Sequence, residues 1–526
     1  MNSPSDKSRS SLALQAGPGR FMAAMVLLYF VLNVVTINRG YIDFGDGNYL
    51  YISWRLSQGA RLYQDIVSPQ PPMHLLVGRF LVGLGEGLGG GMTTIAVVRL
   101  FSILLHLVTA WLIVRISRRL FEDAWAAALA GAVFLFLPIG FFWAKGYQSE
   151  PLEILFLTWA FWGLMQNSRG GTVAAALGSV LALFTNMTAV PYVALFIVYV
   201  LAAQRNHAAR YLGVLAGGVA LLLGLFHFAS GGVYIENVFF NQVGTFHRED
   251  PVGYGISKII GQGSNVLIAQ GGFVLCGVLG VIVYLCQESL PVRKVAAWYF
   301  FWGLGSIVFV SKGGTEDYIF CLAEPMVAVF SAFFLRFFYL GTFSAWMGER
   351  ARGTLPSRLT WAAALLTLVL IVGARGGWEL FATLSQRKYE CPSPGVRRVQ
   401  EYVDRFAEPE DLLWAPPYYA FLSRRKIPED ASSTFIWFVR YLNHTEYGDD
   451  DPEVMQVIER IVSQLDGVQV PVVALNYRQG QLGSVPEIRQ AVEAGYTRVD
   501  RLRCRNEDLH IFVTRKKLLP LEVEPR

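Results

Sequence analysis

The feature that most constrains this chain is a series of long apolar segments. A stretch of about 20 mostly apolar residues crosses a bilayer as a helix, and shorter stretches are tolerated inside a bundle. About eleven segments fit, at residues 21–38, 92–114, 124–143, 151–165, 172–184, 190–201, 211–228, 265–286, 295–310, 318–338 and 359–376. The short pair flanking Thr185 and Asn186 has an alternative interpretation as one broken re-entrant unit. We therefore predict a multi-span α-helical membrane protein.

Charged residues are spread unevenly and divide the chain in two. Residues 385–526 hold 20 Lys or Arg and 22 Asp or Glu, whereas the first 384 residues hold 43 charged side chains in all. Charged residues make up 16% of the chain, against about a quarter in soluble domains. We predict a transmembrane domain at 1–384 and a small soluble α/β domain at 385–526. The net charge of +5 does not indicate a nucleic-acid partner.

The Lys and Arg residues of the short loops predict the orientation of the spans, since these residues accumulate on the cytoplasmic side. With a cytoplasmic N-terminus, fourteen cations lie in inner loops and eight in the outer segments that precede the C-terminal domain. An odd number of spans then places that domain on the extracytoplasmic side of the inner (plasma) membrane. We interpret residues 21–38 as an uncleaved first span, because no small-residue cleavage site follows them.

The C-terminal 142 residues carry the signals of alternating helices and strands. Helices are predicted at 393–406, 452–467 and 486–494, and strands at 411–415, 470–476, 496–502 and 509–514. The last two strands are expected to form an antiparallel pair. No nucleotide-binding loop or nucleophile motif appears there. Cys391 and Cys504 allow two interpretations, a disulfide in an oxidising compartment or two free thiols.

The first outer loop, residues 39–91, is too long to be a simple connector. Amphipathic helices are predicted at 48–58, closed by Gly59, and at 73–84, both in the outer interface of the membrane. Asp43 and Asp46 follow directly after the first span. Asp46 has two compatible interpretations, as the N-cap of the helix beginning near Asn48 and as a carboxylate that does chemistry at the membrane surface.

Parts of this loop resemble the first periplasmic loop of the GT-C glycosyltransferases. The most specific run is Asp46-Gly47-x-Tyr49-Leu50, and runs at 59–65 and 70–72 agree with it. More narrowly, the loop is similar to the branch containing aminoarabinose transferase, the protein O-mannosyltransferases and the rhizobial galacturonosyltransferases. Segments 145–152, 312–325 and 401–425 resemble later parts of that family. Many relatives have Glu at the position of Gly47 and His at the position of Asp317.

The resemblance implies an enzyme that passes a sugar from a polyprenyl-phosphate carrier to an acceptor outside the membrane, with inversion. Such an enzyme needs a carboxylate that takes the acceptor proton and cations that hold the lipid phosphate. Asp46 is the expected base, with Asp43 as its nearest substitute and Glu150 as a second acidic candidate. The expected phosphate-binding residues are Lys145, Arg248 and Lys312. Further site candidates are Tyr147, His247 and Tyr318.

Each candidate also has a simpler interpretation. Glu150 is a favourable charge at a helix N-terminus. The three cations are interfacial side chains that extend to lipid headgroups. The two tyrosines belong to the aromatic belt of the membrane interface, and His247 is a solvated loop residue.

No cofactor is expected, because a lipid-linked donor carries its own phosphate leaving group, and the sequence does not indicate a divalent metal. The expected partners are the lipid bilayer, a polyprenyl-phosphate sugar, and a glycan, lipid or protein acceptor. Two other functions remain open, a transporter or flippase of lipid-linked saccharides and a non-catalytic subunit of an envelope-assembly complex. The transporter is disfavoured, because internal repeats are not visible and charges within the spans are scarce.

Overall fold

The computed structural model describes residues 4–37, 44–240, 251–287, 291–311, 317–338, 393–447, 451–476, 482–504 and 507–518. The predicted span at 359–376 lies outside these residues. So do five residues named above, which are Asp43, His247, Arg248, Lys312 and Cys391. The roles predicted for them stay predictions, as does the pairing of Cys391 with Cys504.

Helices dominate the described part of the first 338 residues. They are α1 (Pro4–Val35), α2 (Phe44–Ser57), α3 (Met73–Gly87), α4 (Met92–Phe121), α5 (Ala124–Phe136), α6 (Pro138–Trp143), α7 (Glu150–Met165), α8 (Arg169–Leu183), α9 (Val190–Ala203), α10 (Arg205–Ala229), α11 (Pro251–Gln287), α12 (Pro291–Gly305) and α13 (Glu324–Phe338). Short 3₁₀ turns lie at Met187–Ala189, Ser306–Ser311 and Asp317–Leu322, and a π turn at Glu236–Phe240.

Four of the described helices are long and apolar enough to cross a bilayer. They are Gly17–Val35, Met92–Phe121, Arg205–Ala229 and Gly255–Cys286. Shorter apolar helices occupy Ala124–Phe136, Arg169–Leu183 and Met187–Ala203, and helices of that length are tolerated where other helices surround them. The chain is therefore a mostly helical membrane protein, while the count of eleven spans and their orientation stay predictions.

Small residues bring α7 and α8 into close contact. A Cβ atom placed on Gly163 would lie 2.6 Å from the carbonyl oxygen of Gly171, and one on Gly178 would lie 2.9 Å from that of Phe156. Packing through small residues is typical of helices in lipid, where van der Waals contact drives association because exclusion of water does not. Glycine at these positions thus allows the backbones to approach.

Several elements differ from the sequence-based prediction. The helix α2 begins at Phe44 instead of near Asn48, so Asp46 lies inside its first turn and is not its N-cap. Gly59 follows the helix with φ of +95°, a conformation that glycine adopts at little cost. The predicted span 318–338 contains a 3₁₀ turn and then α13, which has Pro325 as its second residue. Proline in the first turn favours such a new helix start.

The C-terminal region combines helices with one four-stranded sheet. The helices are α14 (Ser393–Phe406), α15 (Pro417–Leu422), α16 (Thr434–Tyr447), α17 (Pro452–Asp466), α18 (Pro486–Gly495) and α19 (Arg515–Leu518). The strands are β1 (Leu413–Trp414), β2 (Val472–Asn476), β3 (Tyr496–Cys504) and β4 (Glu507–Thr514), in the order β1-β2-β4-β3. The predicted antiparallel pair is confirmed as β3 and β4, whereas the prediction missed α15 and α16.

The first loop and the C-terminal region share one hydrophobic core. Leu50 of α2 and Leu75 of α3 are buried in the same cluster as Phe421 and Val473. The rings of Trp54 and Phe421 pack edge to face, with centroids 6.4 Å apart. The C-terminal helix α15 therefore lies against the helix that carries Asp46, while the division of the chain into two domains at residue 385 stays a prediction.

Candidate functional site

Asp46 is a buried carboxylate that lies against the loop between α6 and α7. Its exposed fraction is only 3%. A Cβ atom placed on Gly146 would lie 3.1 Å and 3.4 Å from the two Asp46 carboxylate oxygens, which is tighter than most side chains allow. Glycine at position 146 therefore lets this loop approach the carboxylate. Asp46 and Gly146, far apart in the sequence, meet at this point.

Arg99 and Lys145 are two buried cations of this region. Lys145 donates a hydrogen bond from Nζ to Thr36 Oγ1 over 3.0 Å, and Arg99 of α4 donates from Nη1 to the carbonyl oxygen of Ile37 over 2.6 Å. Both side chains thus extend to the end of α1. Arg99 is also within electrostatic range of Asp46 and of Tyr418 in the C-terminal region. Arg99 is therefore near the carboxylate of Asp46, and Lys145 is near Arg99.

The environment of Lys145 lowers its pKa, so that its charged form is less favoured than in water. Burial, and secondly the positive charge of Arg99, lower the pKa of Lys145 from 10.5 to about 8. Removing an ammonium from water is costly, and a second cation nearby adds to that cost. An anion arriving beside Lys145 would offset both effects. The site is therefore suited to a phosphate group.

Arg99 is a site residue that the sequence does not predict, because it lies inside the apolar segment 92–114, which fits a membrane span. Arg99 is 4% exposed. A signal was available, since ionisable residues within membrane helices are costly and commonly face a polar interior. Asp46 and Arg99 are 53 positions apart, so only the packing of α2 on α3 and of α3 on α4 reveals that they are neighbours.

Glu150 begins α7 and belongs to a second buried polar group. The Asn186 side chain donates to Glu150 Oε1 over 3.2 Å and to Ser149 Oγ over 3.0 Å. One turn further along, the Thr188 hydroxyl donates to Glu153 Oε1 over 2.7 Å. The simple interpretation of Glu150 as a charge at a helix N-terminus agrees with this placement.

Tyr147 anchors the loop to the two helices of the first outer segment. Its hydroxyl donates to the carbonyl oxygen of His74 over 2.6 Å and lies 3.3 Å from Ser53 Oγ. Burial raises the pKa of Tyr147, and burial lowers the pKa of His74 to about 3. Both side chains are therefore neutral near pH 7. Their contacts are those of packing residues that fix the position of the loop.

Tyr318 lies on the other side of the same loop. Its ring packs edge to face on Trp143, with centroids 5.5 Å apart. Trp143 ends α6 and accepts, through its carbonyl oxygen, a hydrogen bond of 2.9 Å from the backbone nitrogen of Gly146. Tyr318 thus supports the loop that faces Asp46. Among the described residues, no group of three or more His, Cys, Asp or Glu side chains is arranged to hold a metal ion.

Two membrane proteins of known structure share this architecture. ArnT from Cupriavidus metallidurans, solved with undecaprenyl phosphate, superposes with a TM-score of 0.59 at 14% identity, over 93% of this chain and 97% of that chain. The oligosaccharyltransferase AglB from Archaeoglobus fulgidus, solved with an inhibitory peptide and a dolichol-phosphate, superposes with a TM-score of 0.52 at 13% identity, over 90% and 72%. The chain has the GT-C fold. The GT-C fold predicted from the first-loop motif is thereby confirmed.

Sequence comparisons add one further likeness. A family model described as the GPI transamidase subunit PIG-U matches residues 52–249, which is less than half of the chain. The match begins six positions after Asp46 and includes Arg99, Lys145 and Glu150. No curated protein matches the chain in sequence.

Proposed function

We propose that this GT-C protein is an integral membrane glycosyltransferase. It moves a sugar from a polyprenyl-phosphate-linked donor to an acceptor hydroxyl on the extracytoplasmic side, where the acceptor is an envelope lipid, a glycan or a protein. The observation that carries the proposal is the buried Asp46 carboxylate, which has Arg99 within electrostatic range and Lys145 within electrostatic range of Arg99. One acidic group beside two cations matches the needs of transfer from a sugar phosphate.

The proposed reaction is a single displacement at the anomeric carbon. The acceptor oxygen forms a bond to that carbon, and its proton passes to a carboxylate oxygen of Asp46. The bond between the anomeric carbon and the phosphate oxygen breaks, and the electron pair leaves with the polyprenyl phosphate. Attack opposite the leaving group inverts the anomeric centre, as in inverting hydrolases where water is the nucleophile.

In this proposal the cations act on the leaving phosphate. Lys145 and Arg99 are held near the end of α1 by hydrogen bonds to Thr36 and Ile37. Donors fixed in a water-poor site stabilise charge that develops on the leaving group without reorganising during the reaction. Arg248 and Lys312 remain further candidates for the same phosphate, and Asp43 remains a substitute base. All three lie outside the described residues.

The base is tested by changing Asp46 to Asn in protein purified into lipid nanodiscs, with a panel of radiolabelled polyprenyl-phosphate hexoses and pentoses as donors. Asp65→Asn is the matched control, because Asp65 lies in the same loop and pairs with Arg61 at its exposed edge. Glu150→Gln ranks the second acidic candidate. Transfer by Asp46→Asn at the rate of Asp65→Asn would overturn the assignment.

The PIG-U match favours a second function. In this alternative the chain is a non-catalytic subunit of a membrane complex. The two proposals differ in what Asp46 does in cells. If the chain is an enzyme, Asp46→Asn removes the same surface glycan as deletion of the gene. If it is a subunit, the Asp46→Asn strain keeps that glycan while the deletion strain loses it.

A further inference from the structure

The C-terminal region packs directly on the residue that follows Asp46. A Cβ atom placed on Gly47 would lie 2.5 Å from Cβ of Tyr418 and 3.1 Å from its backbone nitrogen. Any side chain at position 47 therefore requires α15 to move.

A second contact fastens the other end of α2. Arg55 donates from Nε and Nη2 to the two carboxylate oxygens of Asp430, each over 2.8 Å. Tyr51 donates to Asp430 Oδ1 over 2.6 Å, and its own oxygen accepts from the backbone nitrogen of Ile427 over 2.8 Å. The side chains of Arg55 and Asp430 are only 10% and 14% exposed. A two-pronged, largely buried ion pair of this kind fixes geometry as well as charge.

The backbone at Asp430 is held in an unfavourable conformation. Glu429 has φ of +53° and Asp430 has φ of +46°, and neither is glycine. Residues in the left-handed region persist where the surroundings hold them in place, and they accumulate at functional sites. The hydrogen bonds from Arg55 and Tyr51 to the Asp430 carboxylate help to hold it in this conformation. The turn Pro428–Asp430 is thus held from two sides, by α2 at Asp430 and by Arg460 and Gln464 of α17 at Glu429.

We propose that Asp430 is a positioning residue for Asp46, and that the C-terminal region is a working part of the site and more than a cover. The proposal rests on the proposed function, because it assigns Asp430 a role in the same reaction. Tyr418 holds the start of α2 at Gly47, while Asp430 holds its last two turns at Tyr51 and Arg55. Two fixed points define the axis of the helix and therefore where the Asp46 carboxylate lies relative to Gly146.

The kinetic test compares two Asp-to-Asn substitutions in the full-length protein. Asp430→Asn removes the charge that Arg55 and Tyr51 contact, and we expect kcat to fall about 10-fold or more with KM for donor little changed, because small displacements of a reacting group are costly. Asp451→Asn is the matched control. Asp451 makes a similarly two-pronged, part-buried pair with Arg440 in the same region but has no described bond to α2. Equal loss in both variants would show general destabilisation and overturn the proposal.

A double substitution tests whether Asp430 acts through its ion pair with Arg55. If Asp430 acts through Arg55, the variant Arg55→Gln/Asp430→Asn loses no more activity than Asp430→Asn alone, because residues in one interaction are not additive. Fully additive losses would contradict positioning through this pair.

A second measurement does not depend on activity. Hydrogen–deuterium exchange of residues 44–57 is compared in nanodiscs for the wild type, Asp430→Asn and Asp451→Asn. We expect faster exchange of this segment in Asp430→Asn alone, since local opening follows the loss of the contacts that hold a segment. Unchanged exchange refutes the positioning role. If the wild type transfers no sugar from any donor while the exchange still responds to Asp430→Asn, the proposed function has failed and the positioning of α2 stands.

Discussion

Asp46 and Glu153 are both buried acidic residues of this GT-C protein, but their neighbouring groups differ. Asp46 lies near the cation Arg99, which is itself near Lys145, and three separate segments of the chain supply these residues. Glu153 lies within α7 and receives a hydroxyl hydrogen bond from Thr188. Neighbouring cations favour the ionised carboxylate, whereas a neutral hydroxyl supports either protonation state. Burial of a carboxylate by itself therefore does not identify a catalytic base, and the neighbouring charges decide.

The largest expected effect is that of Asp46→Asn. Removing a general base lowers the rate by about 10²- to 10⁴-fold, because the acceptor proton then has no group to receive it. The measurement is kcat for transfer from the best donor of the panel, with Asp65→Asn beside it. If Asp46→Asn transferred sugar at a rate within a few-fold of Asp65→Asn, Asp46 would not be the catalytic base, and its distinction from Glu153 would be lost.

The next effect is that of Gly146→Ala. The new methyl group would meet both oxygens of Asp46 at 3.1 Å and 3.4 Å, so the loop and the carboxylate must separate. We expect kcat to fall about 10-fold, because the reacting groups are displaced. Gly170→Ala is the control, since nothing lies within 4 Å of a Cβ atom placed there. Equal rates in both variants would contradict the close approach.

The pH dependence sharpens the role of Lys145. Its pKa is lowered to about 8, so the ammonium is present below that pH and is lost above it. If the ammonium holds the donor phosphate, kcat/KM for the donor declines as the pH rises through about 8. Lys145→Arg keeps its charge at all these pH values, so its profile stays flat over that range. A wild-type profile flat to pH 10 would argue against a phosphate role for Lys145.

The smallest effect is expected for Glu153→Gln. The amide oxygen of Gln still accepts the Thr188 hydrogen bond, so the free energy of unfolding changes by less than about 1 kcal/mol. Thermal unfolding in nanodiscs measures it, and Thr188→Val serves as the comparison because it removes the donor. A large destabilisation by Glu153→Gln would mean that the negative charge of Glu153 is itself part of the structure.

Much of the secondary structure was predictable, because it follows local rules. Apolar length located the helices of the bundle, and Ser393-Pro394 and Asp451-Pro452 located two helix starts in the C-terminal region. The helices α15 and α16 were missed, although Pro417 and the run Ser432-Ser433-Thr434 are helix-start signals, since their dense aromatic residues show no clear helical period. The early start of α2 was also missed, because Gly45 and Gly47 are poor helix formers and only tertiary packing compensates for them.

The candidate site was predictable only in part. Asp46, Lys145, Tyr147 and Glu150 stood out because charged or polar residues are rare near apolar segments. Arg99 and Tyr418 did not, since one was hidden in a span and the other lies in a helix far along the chain. Asp430 carried no signal at all, because its role depends on a contact with Arg55 across 375 positions.

The sequence by itself determined that this is a membrane protein of many apolar helices, with a long first loop resembling that of GT-C enzymes. Apolar length and charge are properties of the residues, and they act on every stretch of chain independently. The tertiary structure alone decided which charges meet. In the tertiary structure Asp46 contacts the Gly146 loop and lies near Arg99, and α15 packs on Gly47. Such close approaches depend on how helices that are distant in sequence pack together.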